Sequence, residues 1–148
     1  MEYAGQDRRD APRGGGCPDT DPYTCAMTGL ILFAHGARDP RWAEPFERLR
    51  QKVEIACPGV PVALAYLDLM TPDLPGAADA LVAAGCRALR VVPIFLGRGG
   101  HVRKDLAVLL ALVATRHPAV HVDVLPAIGE DDAVLQTMAD VCVTGLRA

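Results

Sequence analysis

The sequence predicts an α/β fold built on a small, doubly wound parallel sheet, and three observations carry that reading. From residue 29 onward, short apolar runs rich in β-formers alternate with longer amphipathic stretches, the signature of βα units that lay strands side by side in parallel. The run Val91-Val92-Pro93-Ile94-Phe95-Leu96 is apolar without alternation, as in a strand covered on both faces. Two apolar runs end in glycine-bearing loops that carry His35 and His101, and the carboxyl edge of an open parallel sheet is where such folds bind ligands.

The elements follow in order. A strand over 30–34 (LILFA) precedes a helix over about 40–56, whose apolar face is formed by Trp42, Phe46, Leu49, Val53 and Ile55 and which Cys57-Pro58-Gly59 ends. A strand over 62–67 leads to Thr71-Pro72-Asp73, read as an N-cap at Thr71 with Pro72 at the first helical position, and the helix stops at Gly85. The third strand covers 88–95; Pro93 lacks a ladder donor and implies a strand end or a bulge there. A helix over 102–116, a strand over 120–125 and a helix over 131–143 complete four βα units, with no internal repeat.

At 148 residues and 51% hydrophobic, the chain suffices for one sizeable core, and residues 29–148 are read as a single domain. Residues 1–28 are rich in Gly, Pro, Asp and Arg without an apolar period, which reads as a disordered tail. Met27 is either the natural start or part of a real unstructured extension. A net charge of −3 without long like-charged runs disfavours nucleic acid and anionic membrane as partners. No apolar run approaches the roughly 18 residues of a membrane span. The five cysteines, Cys17, Cys25, Cys57, Cys86 and Cys142, lack disulfide-scaffold or CxxC spacing, and a cytoplasmic protein with mostly reduced, packing thiols is expected.

His35, Asp68 and His101 fall at or just beyond the ends of three strands. Imidazole and carboxylate together suit Co, Ni, Fe or Zn, and three protein ligands leave coordination positions open. Each residue alone suits a turn or helix cap equally well; their convergence is the argument. Arg38 and Arg41 flank the first loop and Arg98, Arg103 and Lys104 the second, a local positive charge suited to a polycarboxylate. Gly97-Arg98-Gly99-Gly100 opens a helix and could cradle an anion, but it has neither Walker nor dinucleotide spacing. His117 and His121 have helical metal-pair spacing that Pro118 breaks.

HGARDP after the first strand, AYLDLMTPDLP after the second and VPIFLGRGGHVRKDL across the third resemble the short class II chelatases, the sirohydrochlorin cobaltochelatases and ferrochelatases. The resemblance covers essentially residues 30–129. It implies a flavodoxin-like, chelatase-type sheet, with a divalent metal (Co²⁺ favoured, Fe²⁺ or Ni²⁺) as substrate on His35 and His101 and no organic cofactor. Asp68 stands where the family's usual glutamate is, and Ala37 replaces a common serine. Arg38, Arg98, Gly99, Gly100 and Arg103 are expected to meet the tetrapyrrole, His35, His101 and Asp68 to be catalytic, and the chain to form a homodimer. A non-catalytic carrier of metal or tetrapyrrole is the alternative.

Overall fold

The computed structural model describes residues 28–97 and 99–147; the tail up to Met27, with Cys17 and Cys25, and Arg98 of the glycine loop lie outside the described residues. Four strands, β1 (Thr28–Ala34), β2 (Val62–Tyr66), β3 (Ala88–Pro93) and β4 (His121–Val124), form one sheet of order β2-β1-β3-β4 in which every neighbouring pair is parallel. β1 therefore begins at Thr28, inside the stretch expected to be tail, because Thr28 pairs with Ala88 of β3.

The helices are α1 (Glu44–Ala56), α2 (Leu74–Ala83), α3 (Gly100–Arg116) and α4 (Asp132–Gly145), with 3-10 turns at Pro40–Ala43 and Ile128–Glu130. Alternate residues of β1 serve opposite faces, as strand geometry requires. Ile31 and Phe33 join Leu74, Ala77, Ala78 and Leu81 of α2 and Leu106 and Val113 of α3 in the larger core. Leu32 and Ala34 join Leu64 and Tyr66 of β2, against which Phe46 and Leu49 of α1 pack. Each fully buried side chain of this kind stabilises the fold by about 1.5–3 kcal/mol.

Several local expectations shift. The first expected helix divides into the 3-10 turn and α1, and Ile55 is exposed because it lies off the Phe46–Leu49–Val53 stripe. The cap of α2 is Asp73 rather than Thr71: its Oδ1 accepts the Gly76 N–H at 2.8 Å, and the proline inside the first turn is Pro75, while Thr71-Pro72 is a cis bond in the preceding loop. β3 ends at Pro93, as its missing donor implies.

β3 is covered unequally on its two faces, with Val92 and Ile94 packing only in part against the Leu32–Ala34–Leu64–Tyr66 cluster. Leu89, Val91 and Pro93 are buried, but on the other side Arg90 is exposed and pairs with Asp123 of β4 at 3.5 Å, and Val92 is half-buried. The physical reason lies in α4, which buries none of its residues and leaves Leu135, Met138, Val141 and Val143 exposed. Cys86 is core, whereas Cys142 is exposed on α4, against the expectation of packing. Among the described residues, no helix is long and apolar enough to cross a membrane.

Candidate functional site at the carboxyl edge of the sheet

The strand order reverses at β1: the chain goes to β2 on one side and returns to β3 on the other. The crevice between the carboxyl ends of β1 and β3 is the switch point at which such sheets bind ligands. His35 follows β1 directly, and the segment after β3 leads into α3, which carries His101.

His35 is exposed and is held from three directions. Its ring lies on that of Phe95, centroids 4.5 Å apart and tilted by 50°, and Phe95 in turn meets Phe33 edge-on at 5.7 Å, so the imidazole stands at the end of an aromatic column rooted in the core. Its carbonyl accepts the Trp42 indole N–H at 2.9 Å. Gly36, next in the chain, lies against the Asp68 backbone, where a β-carbon would stand 1.6 Å from the Asp68 carbonyl oxygen. Only glycine permits that approach.

Asp68 is exposed at the start of a tight turn in which the Met70 N–H donates to the Asp68 carbonyl at 2.7 Å and Leu69 adopts φ +58°. It lines a cleft of about 280 Å³ with Leu67, Asp105, Val108 and Leu109. Asp105 is absent from the residues read out of the sequence. It lies four positions after His101 on α3, hence on the same helix face, and that spacing was the signal available.

His101 is not in a loop: α3 begins at Gly100, two residues earlier than expected, and places His101 in its first turn, exposed. No hydrogen bond, ion pair or ring contact joins it to His35 or Asp68. Among the described residues, no group of three or more His, Cys, Asp or Glu stands close enough together to hold a metal ion, so Asp68 does not complete a three-ligand set with the two imidazoles.

The flanking cations separate into two kinds. Arg41 is taken up by Asp39, which accepts its backbone N–H at 3.0 Å and its guanidinium at 2.7 and 3.1 Å; the same contacts hold the Asp39 carboxyl below the usual carboxylate range. Among the described residues, Arg38 and Arg103 have no salt-bridge partner, and both are exposed, as are Lys104, Gly99 and Gly100. His117 is also accounted for: an ionised carboxylate only accepts, so its Nε2–H donates to Asp79 Oδ1 at 2.6 Å, with Arg116 on the other oxygen at 2.7 Å.

The parallel sheet of order β2-β1-β3-β4 defines a flavodoxin-like α/β protein, a class of fold that binds ligands at the crevice where the strand order reverses, here between β1 and β3. Residues 29–143 match the model of the CbiX family, and the chain belongs to that family. It is 31% identical over 91 residues to a sirohydrochlorin cobaltochelatase of Methanocaldococcus jannaschii, covering 62% of this chain and 64% of that one. The chain spans about three fifths of the length of the curated relatives it matches.

Among solved structures, a protein from Marinobacter aquaeolei described as a cobalamin (vitamin B12) biosynthesis CbiX protein superimposes with a TM-score of 0.72 at 30% identity, over 81% of this chain and 98% of that one. The sirohydrochlorin chelatase SirB of Bacillus subtilis subspecies spizizenii, in complex with cobalt, gives 0.62 at 25% identity over 78% of this chain and 51% of SirB. The resemblance carried by the three motifs is borne out.

Proposed function

We propose that this protein inserts a divalent metal into sirohydrochlorin, with cobalt the favoured ion and iron or nickel the alternatives. The observation that carries the reading is the pair of exposed imidazoles on the two sides of the β1/β3 switch point, in a chain of the CbiX family. The names of the similar cobaltochelatases and the cobalt complex of SirB support the same metal and substrate.

The chemistry divides among named groups. Each insertion releases two N–H protons as the divalent ion takes their place on the pyrrole nitrogens, so the site needs a metal-presenting group and proton acceptors. His35 and His101 present the ion. Asp68, exposed in its cleft, or a neutral imidazole accepts the first proton, and solvent water takes the second. Arg38, Arg103 and the glycine loop, with Arg98, hold the peripheral carboxylates of the macrocycle by charge-assisted bonds.

One chain offers one wall to a large flat ligand, and we propose a homodimer that supplies the other. The unburied apolar residues of α4 and the half-open face of β3 and β4 support it, since a helix that buries none of its residues against the other described residues is suited to an isologous contact. Anaerobic incubation with sirohydrochlorin and each of Co²⁺, Ni²⁺ and Fe²⁺, followed by tetrapyrrole absorbance, tests the activity. Turnover supports the enzyme; binding of both components without product identifies a carrier instead.

A further inference from the structure

A metal-binding histidine is ordinarily oriented by a hydrogen bond from its second ring nitrogen to a carboxylate or carbonyl. His35 lacks one: among the described residues, neither ring nitrogen is hydrogen-bonded. Its ring is set on one side by Phe95, and its backbone is set by Trp42, the only tryptophan in the sequence.

Trp42 is built as a strap. Its backbone N–H donates to the Asp39 carbonyl at 3.0 Å, closing the 3-10 turn, and Asp39 caps that turn. Its ring meets Phe46 at 6.1 Å, and Phe46 packs on the core cluster of Leu32, Ala34, Leu64 and Tyr66. Trp42 is nevertheless 47% exposed, so burial is a poor reason for so large a side chain here. What it does with its one polar atom is reach back seven residues to the carbonyl of His35.

We propose that Trp42 is a positioning residue for His35: its indole N–H fixes the His35 peptide, and with it the direction from which the imidazole meets the metal. The inference rests on the reading of His35 as a metal ligand. Without the indole donor the exposed carbonyl turns to water, the His35 peptide gains rotational freedom, and the imidazole is no longer pre-aimed. The loss of one such neutral hydrogen bond corresponds to about a three- to tenfold weaker metal affinity.

The test uses the full chain and Co²⁺ alone, without tetrapyrrole, by titration calorimetry and by the visible absorption of bound Co²⁺. Wild type, His35→Ala, Trp42→Phe and a Trp42 isostere with sulfur in place of the indole N–H are compared; the isostere keeps shape and burial and decides the matter should the Phe variant be less stable. The expected result is loss of the His35-dependent Co²⁺ site in His35→Ala. Trp42→Phe and the isostere then bind about three to ten times more weakly, with altered Co²⁺ absorption and a thermal midpoint within a few degrees of wild type. In wild type, Co²⁺ also quenches Trp42 fluorescence, and His35→Ala abolishes the quenching. Unchanged Co²⁺ affinity and absorption in the isostere, with the site lost in His35→Ala, overturns the inference alone. Unchanged binding in His35→Ala overturns the reading of His35 and the inference with it.

Discussion

Gly36 rests on the carbonyl of Asp68 so closely that a β-carbon would stand 1.6 Å from the oxygen and 2.8 Å from the carbonyl carbon, which locks the loop after β1 to the loop after β2. Neither partner is a flexible side-chain end, so Gly36→Ala must part the two backbones. We expect a loss of about 1–3 kcal/mol in urea unfolding, the range for overpacking a tight contact. Metal insertion should fall as His35 and Asp68 separate. A Gly36→Ala protein of wild-type stability would show that the loops are not held together.

Leu69 sits at φ +58°, a region that costs residues with a side chain about 1–2 kcal/mol, while 63% of its surface is exposed. Replacement by glycine removes little packing and relieves the strain, against the greater unfolded-state freedom of glycine. Leu69→Gly should therefore match or exceed wild type in thermal midpoint, and the β-branched Leu69→Val should fall below it. A clear drop for glycine would mean that the leucine side chain carries packing in solution.

Asp79 ties α2 to the end of α3, and its carboxyl is held below the usual range first by the hydrogen bond from His117 and then by Arg116. For a depressed carboxylate the stabilisation is present above the unfolded value near about 4 and is lost as pH falls through the lower folded value. The pair is partly exposed, so Asp79→Asn should cost about 1 kcal/mol or less at pH 7. The difference from wild type should shrink to nothing in strongly acidic solution. A gap that persists or widens there would assign the stabilisation to packing rather than charge.

Gly99 and Gly100 meet no atom within 4 Å of an added β-carbon, and neither has positive φ, so the fold itself does not demand glycine at either place. If the glycines serve a close approach by the tetrapyrrole, alanine at each should leave the thermal midpoint unchanged or, at Gly100 in the helix, raised, while KM for sirohydrochlorin increases. Unaltered steady-state kinetics in both variants would remove the two glycines from the substrate surface.

The alternation of strand and helix was legible because β1 and β2 keep their apolar residues contiguous and β3 is broken only by Arg90, and Pro93 marked its own strand end. The start of α2 was less so: Thr71-Pro72 and Asp73-Leu74-Pro75 both carry a capping residue ahead of a proline, and only the Asp73 bond to Gly76 separates them. His101 entered a helix because Gly100, free of crowding, accepted helical geometry that its propensity disfavours. Of the candidate site, His35 and Asp68 were found by their place after strands. Asp105 hid inside an amphipathic helix pattern, and Trp42 was read as one more apolar position, since nothing in periodicity announces a side-chain donor to a backbone carbonyl seven residues away.

The central claim is that His35 and His101 together present the metal to the tetrapyrrole. Its most direct measurement is the anaerobic rate of Co²⁺ insertion into sirohydrochlorin by His35→Ala and His101→Ala, with circular dichroism to verify the fold, since both side chains are exposed outside the core. Each substitution should lower the rate about 100-fold or more with an unchanged spectrum. Near wild-type insertion by either folded variant would contradict the claim for that histidine.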